Sequence, residues 1–314
     1  MARPWIEAWH DALYGTDGFY AREAPHAHFS TSTSPGLVDV LAAAVVALMR
    51  REGLDHFVDV AAGGGELACA VSALAPDRDI TCVEVRPRPE GLPEWIRWVR
   101  SPGGAGLPDE LRGLTSSLVL AHEWLDNVPC TIATRRPAPP QLRDCEVVAV
   151  LVDRSGAESV GDPVAPEDAA WARQWWPDGE RIEIGRARDD AWTDLLSRIE
   201  DGLAVAVDYG HLREARPQDG SLTAYSRGAV VDPVPDGSCD LTAHVAVDSL
   251  THDRLITQRE LFTELGLIPD APDHGLARTD PAAYLHALAH RSAVTALTNS
   301  AGPGGFWWVL RRVS

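Results

Sequence analysis

No lysine occurs among the 314 residues; all 28 basic side chains are arginines. That absence excludes Schiff-base catalysis, P-loop phosphate binding and lysine-dependent kinase chemistry, each of which needs an amine from the chain. Cysteine is sparse. Cys69, Cys82, Cys130, Cys145 and Cys239 are widely spaced, odd in number and form no Cys-x-x-Cys pair, which predicts reduced thiols in a cytosolic protein. Positive charge is outweighed by 46 acidic residues, leaving a net charge of −18. A nucleic-acid partner, which needs a basic surface, is not expected, whereas a cationic ligand would suit this balance. Long apolar runs are missing too. The longest, Val40 to Met49, is half of a membrane span, and Met1 to Gly15 lacks the apolar stretch of a signal peptide. The expectation is a cytoplasmic protein with no membrane partner.

What is present is ordinary for a folded protein: 45% hydrophobic and 24% charged residues, with enough length to bury a core in one large or two smaller domains. Pro4 to Leu13 has apolar residues at helical spacing. Ser34-Pro35 reads as an N-cap followed by proline at the first helical position, opening a helix over Gly36 to Glu52 that stops at Gly53. An alternation of strands and helices follows. His56 to Ala61, Asp79 to Val85, Ile96 to Arg100, Ser117 to Ala121 and Leu203 to Val207 read as strands, and helical segments run to about Leu74 and over Ala187 to Glu200. This pattern predicts an α/β fold with a mostly parallel sheet and helices on both faces. Between Pro129 and about Glu183 the pattern breaks. Pro137, Pro139, Pro140, the apolar run Val147 to Val152 and Trp171, Trp175 and Trp176 predict an insertion with β-hairpins, a helix and tryptophan packing. Gln258 to Leu265 reads as helix and Phe306 to Val313 as a last strand.

The strongest local motif is Val58-Asp59-Val60-Ala61-Ala62-Gly63-Gly64-Gly65-Glu66-Leu67, a strand, a glycine turn and a helix start, with Glu84 ending the next strand. Glycines let a ligand approach the backbone, a helix N-terminus offers free N–H groups, and a carboxylate one strand over can accept both hydroxyl protons of a ribose. Gly63, Gly65 and Ala68 fit the dinucleotide pattern; Asp59, Gly63 and Gly65 fit equally the turn of S-adenosylmethionine enzymes; a structural turn is a third reading. His122-Glu123-Trp124-Leu125-Asp126 follows the fourth strand and places two carboxylates and an imidazole where open α/β sheets bind ligands, although acidic residues at a helix N-terminus account for it as well. Asp208-Tyr209-Gly210, Gly220 to Tyr225 and Asp240 to Val245 lie on the same side or in loops. His286 and His290, one helical turn apart, have no glutamate between them and predict no metal site. His26 and His28 read as surface residues.

Taken together these stretches resemble the MidA-like class I methyltransferases, a family that includes the mitochondrial complex I assembly arginine methyltransferase. The matching segments are Ser32-Thr33-Ser34-Pro35, Asp59 to Leu67, Val83-Glu84-Val85, Glu123 to Pro129, Asp208-Tyr209-Gly210, Gly220 to Tyr225, Asp240 to Val245 and Thr257-Gln258-Arg259-Glu260, in the family's order. The chain departs from the family at Ala61, where glycine is usual; at Val38 to Leu41, where Phe-Gly is usual; and at His122, before the glutamate. Ala61 is compatible with the turn if its φ is negative.

The resemblance implies a Rossmann-like methyltransferase sheet and S-adenosylmethionine as cofactor, with Thr33, Asp59, Ala61, Gly63, Gly65, Leu67 and Glu84 around it. It implies an acceptor that is a protein side chain, arginine by family, with Glu123 and Asp126 orienting it and His122 or His244 taking the released proton. No metal is required. Residues 1–55 are expected to form an N-terminal helical segment and lid, 56–128 and 187–314 the core with 211–250 over the site, and 129–186 a substrate or partner region; a homodimer is compatible. A nicotinamide-dependent oxidoreductase and a non-catalytic assembly factor on the same fold are the rival readings.

Overall fold

The computed structural model describes residues 1–22, 33, 36–136 and 146–314. Its largest sheet has seven strands in the order Arg254–Thr257, Trp307–Val313, Gly202–Asp208, Ser117–His122, His56–Val60, Asp79–Glu84 and Arg97–Arg100. The last five run parallel. Trp307–Val313 is antiparallel to both of its neighbours, so the parallel arrangement expected from the strand–helix alternation holds for five adjacent strands and gives way at one edge.

Successive side chains on a strand point to opposite faces, and here both faces are buried. Phe57, Leu118, Leu120, Leu203, Val205 and Val207 pack with Leu41, Val45 and Leu48 of the helix Val38–Glu52 and with Leu67 and Val71 of Glu66–Leu74. Their alternates Val58, Val60, Val119, Ala121, Ala204 and Ala206 pack with Ala191, Trp192 and Leu195 of the helix Arg186–Ser197. Gly53 ends the first of these helices at φ +69°, a left-handed cap that costs glycine nothing. The proposed N-cap Ser34-Pro35, together with His26, His28, Ser32, Pro137, Pro139, Pro140 and Cys145, lies outside the described residues.

The insertion is a second, antiparallel sheet. Thr131–Arg136 pairs with Glu146–Val152 and Arg181–Ile184, and Glu158–Pro163 extends it. The helix Pro166–Trp175 covers it, with Trp171 and Trp176 buried in its core as packing residues. The N-terminus joins this unit. Arg3–Pro4 pairs with Glu146–Val152, and the helix Trp5–Tyr14 packs Trp5, Trp9 and Leu13 against Ile132, Val150, Val152 and Leu241. The helix Pro281–Leu297 buries only Val294 and Leu297; it has no strong apolar stripe, and its periodicity is invisible in the sequence. His286 and His290 are exposed on it. Cys82, Cys130 and Cys239 are buried and Cys69 half-buried, all as free thiols. Among the described residues no helix is long and apolar enough to cross a membrane.

Candidate active site

The sheet order reverses between His56–Val60 and Ser117–His122, and ligands of open α/β sheets bind outside the carboxyl ends of the strands at such a switch point. A cavity of about 880 Å³ sits there. It is walled by Asp59 to Gly64 after the first strand, Val83 to Arg86 after the second, His122 to Trp124 after the fourth and Tyr209 after the fifth. Tyr14 and Tyr20 from the N-terminus and Tyr225, Asp240 and Thr242 from the loop region complete it.

The charge is one-sided. Asp59, Glu66, Glu84, Glu123, Asp126 and Asp240 line the cavity, and Arg86 is the one arginine among the described lining residues. Glu84 is held by the backbone: its Oε2 accepts from Gly63 N–H at 3.0 Å and its Oε1 from Arg86 N–H at 3.1 Å. Burial raises its affinity for a proton. Asp59 is 2% exposed, and its Oδ2 has no hydrogen-bond partner among the described residues. Burial, reinforced by Glu66 and Glu84, pushes its carboxyl up to about 8. Asp126 Oδ2 accepts from Thr242 Oγ1 at 2.8 Å, while Asp208 Oδ2 accepts from Leu125 N–H at 3.0 Å. Burial and the Asp126 charge hold Asp208 well above the usual carboxylate range, so the Asp208 carboxyl keeps its proton and shares it with Asp126. Burial keeps His122 neutral, its imidazole pushed down to about 4. Its Nδ1 lies 3.5 Å from Glu123 Oε1, and its Nε2 has no partner among the described residues.

Arg188 fastens the floor. Fully buried, it donates to the carbonyls of Asp126, Val128 and His244 at 2.9, 3.0 and 2.9 Å, with its guanidinium over Trp9.

A family model described as "Putative S-adenosyl-L-methionine-dependent methyltransferase" matches residues 80–261, more than half of the chain. The chain belongs to this methyltransferase family. No curated protein matches it. Among solved structures, a Burkholderia thailandensis protein bound to S-adenosyl-homocysteine is similar over 98% of this chain and 87% of its own, at 23% identity and a TM-score of 0.72. A native structure from the same organism is similar over 100% and 87%, at 22% identity and the same TM-score. These likenesses show a shared fold.

The methyltransferase cavity fits the family's cofactor on its own terms. A buried carboxylate with an unmatched oxygen needs a cationic or donating ligand group, and Asp59 supplies one beside a turn of three glycines. Glu84, fixed at both oxygens, keeps lone pairs for hydroxyl donors. Thr33, Ala61, Gly63 and Leu67 also line the cavity. Gly65 does not: its φ is +82°, and a Cβ there would meet the Leu92 side chain at 2.8 Å. Packing of the turn against Leu92 demands that glycine, rather than ligand approach. His244 is exposed outside the cavity lining, its ring stacked on Tyr209 at 5.9 Å.

Ala61 takes φ +62°, the left-handed region that glycine occupies freely and that costs an L-residue about 1–2 kcal/mol. The condition for a strain-free alanine is therefore not met. Ala61→Gly is expected to stabilise the methyltransferase by about 1 kcal/mol, or about 2 °C in Tm, measured by calorimetry.

Tyr14, Tyr20, Asn127, Tyr225 and Asp240 line the cavity without having been singled out as site residues. Asn127, Tyr225 and Asp240 lie inside segments that carry the family resemblance, and that was their available signal. Tyr14 and Tyr20 come from the helices Trp5–Tyr14 and Phe19–Arg22, with no motif at all.

Proposed function

We propose that this methyltransferase uses S-adenosylmethionine to methylate a nitrogen of a cationic protein side chain, an arginine guanidinium, on a Rossmann-like class I sheet. The observation that carries this reading is the cavity's lining: six carboxyl groups against one arginine, with Asp59 and Asp240 poised to ionise when a cation is bound. Such a lining favours a cationic cofactor together with a cationic acceptor and repels the pyrophosphate of a dinucleotide, which argues against the nicotinamide reading.

When bound, the cofactor supplies an electrophilic methyl group on a positively charged sulfur. The chain's own residues do the rest. Asp59, Glu84, Gly63, Ala61, Leu67 and Thr33 hold it at the glycine-turn end. Glu123 and Asp126 orient the acceptor, as carboxylates pair with planar guanidinium groups, and enclosure positions the reactants and excludes water. Transfer must release one N–H proton from the guanidinium. Neutral His122 lines the cavity, its buried Nε2 without a hydrogen-bond partner among the described residues, and takes it, and Glu123, 3.5 Å from Nδ1, stabilises the imidazolium. His244 lies outside the lining, and His122 is preferred for that reason.

The direct test is calorimetric titration with S-adenosylmethionine, S-adenosyl-homocysteine and NAD. Micromolar binding of the first two supports the reading. Binding of NAD alone overturns it, and tight cofactor binding without transfer to any arginine acceptor favours the scaffold alternative.

The buried carboxyls add a pH signature. Asp59 and Asp240 hold protons up to about pH 8 in the native state but release them near 4 when unfolded. The native state binds more protons in that window, so stability falls as pH rises through it. A cationic ligand reverses the balance by favouring the ionised form. Affinity for S-adenosylmethionine is therefore expected to rise from pH 6 to pH 8, with proton release detectable by titration in buffers of different ionisation enthalpy. Asp59→Asn should flatten the profile.

A further inference from the structure

On the cavity wall that meets the N-terminal segment, Asp240 is 2% exposed and has no salt bridge among the described residues. Its Oδ1 accepts from Tyr20 Oη at 2.9 Å and from Asn127 Nδ2 at 3.4 Å, and its Oδ2 carries no hydrogen bond among the described residues. Buried without a cation this carboxyl keeps its proton, and a cation placed against the oxygen that carries no hydrogen bond among the described residues favours its ionised form. We propose that Asp240 grips the acceptor guanidinium and sets a preference for arginine over lysine, with Tyr20 and Asn127 as its props. This rests on the methyl-transfer reading above.

The surroundings suit a flat cation. The rings of Tyr14 and Tyr20 lie 5.4 Å apart at 38°, and both residues line the cavity. An arginine side chain can lay its planar guanidinium on an aromatic face while its edge meets a carboxylate; an ammonium is a point charge without that fork. Asp126, held by Thr242 Oγ1 at 2.8 Å, is the next carboxylate along the wall. The frame is rigid. Asn127 Nδ2 also donates to Leu241 O at 3.1 Å, Tyr14 Oη donates to Asn127 O at 3.3 Å, and Trp9 Nε1 donates to Leu241 O at 3.2 Å. The N-terminal helix and the strand Asp240–Thr242 thus build this wall together.

Binding, rather than turnover, tests this. Protein saturated with S-adenosyl-homocysteine is titrated with the pentapeptides Gly-Gly-Arg-Gly-Gly and Gly-Gly-Lys-Gly-Gly, for the wild type, Asp240→Asn and Tyr20→Phe. Asparagine keeps the shape and can still accept from Tyr20 and Asn127, so the fold should survive; S-adenosyl-homocysteine affinity within twofold of wild type verifies it. The arginine peptide is expected to bind at least tenfold more tightly than the lysine peptide. Asp240→Asn should lose at least tenfold for arginine and abolish the preference, and Tyr20→Phe should lose about threefold. If the wild type prefers arginine and Asp240→Asn retains that preference, the assignment to Asp240 is overturned while the arginine reading stands. If loaded wild type binds neither peptide or prefers lysine, the arginine reading falls and the proposal with it. Failure of S-adenosyl-homocysteine to bind the wild type overturns both at the cofactor step.

Discussion

Replacing Glu84 by alanine is expected to weaken S-adenosylmethionine binding roughly a hundredfold. The carboxylate ends a buried strand and is aimed by two backbone donors, Gly63 N–H and Arg86 N–H, so its remaining lone pairs point into the cavity without any ordering cost at the moment of binding. Hydrogen bonds to a charged acceptor contribute about 1.5–3 kcal/mol each, and a ribose offers two hydroxyls to such a group. Losing both comes to about 3 kcal/mol, which is roughly a hundredfold in Kd. The alanine variant also releases the glycine turn from its anchor, adding to the effect through loss of preorganisation. Glu84→Gln separates the two contributions. It keeps the shape and one accepting oxygen but not the charge, and a loss of about tenfold is expected. Calorimetric titration reads both variants, and an alanine variant that binds as tightly as wild type removes Glu84 from the ribose.

The sequence made the central strands legible because they are short apolar runs bounded by glycine and polar residues, and because burial on both faces leaves Val, Leu and Ala in nearly every position of Gly202–Asp208. Edges were harder. Arg254–Thr257 is only four residues long and half-buried, and Arg3–Pro4 is two residues long with nothing local to predict that it pairs with a strand some 150 residues on. Such pairings are decided by tertiary packing, here of Trp5 and Trp9 into the insertion.

The cavity was legible where one residue's chemistry is tied to a turn: Asp59, Gly63, Glu84 and the Glu123 to Asp126 segment all reach it. Gly65 shows the limit. Its spacing suits a ligand contact, yet the constraint comes from Leu92, remote in sequence. Asp208 shows another. Nothing in Asp-Tyr-Gly announces that its carboxyl is buried against Asp126, because proton sharing depends on the end of one strand meeting the turn Leu125–Asn127 that follows another. His122 and His244 looked equivalent as imidazoles, and only the fold separates a ring on the cavity from one on the surface.

Glu123→Gln is expected to leave cofactor affinity within about threefold and to cut turnover at least tenfold, about 1.4 kcal/mol in the barrier, read as methyl incorporation into the arginine pentapeptide. Glu123 has φ +50°, which costs a non-glycine residue about 1–2 kcal/mol, and its N–H is tied to Val207 O at 2.9 Å. A backbone held in that region by its neighbours is a feature of functional sites, and here it delivers the carboxylate to the cavity beside His122 and Asp126. Glutamine preserves the backbone and shape while removing the charge that, in the proposed mechanism, orients a guanidinium and stabilises the protonated imidazole. Strain and function can then be set against each other. Glu123→Gly should relieve the backbone and raise stability by about 1 kcal/mol while losing turnover as the glutamine variant does, the trade-off expected where a strained residue is kept for chemistry. A glutamine variant with full turnover removes Glu123 from the reaction. A glycine variant that is less stable than wild type shows instead that the side chain holds the loop together.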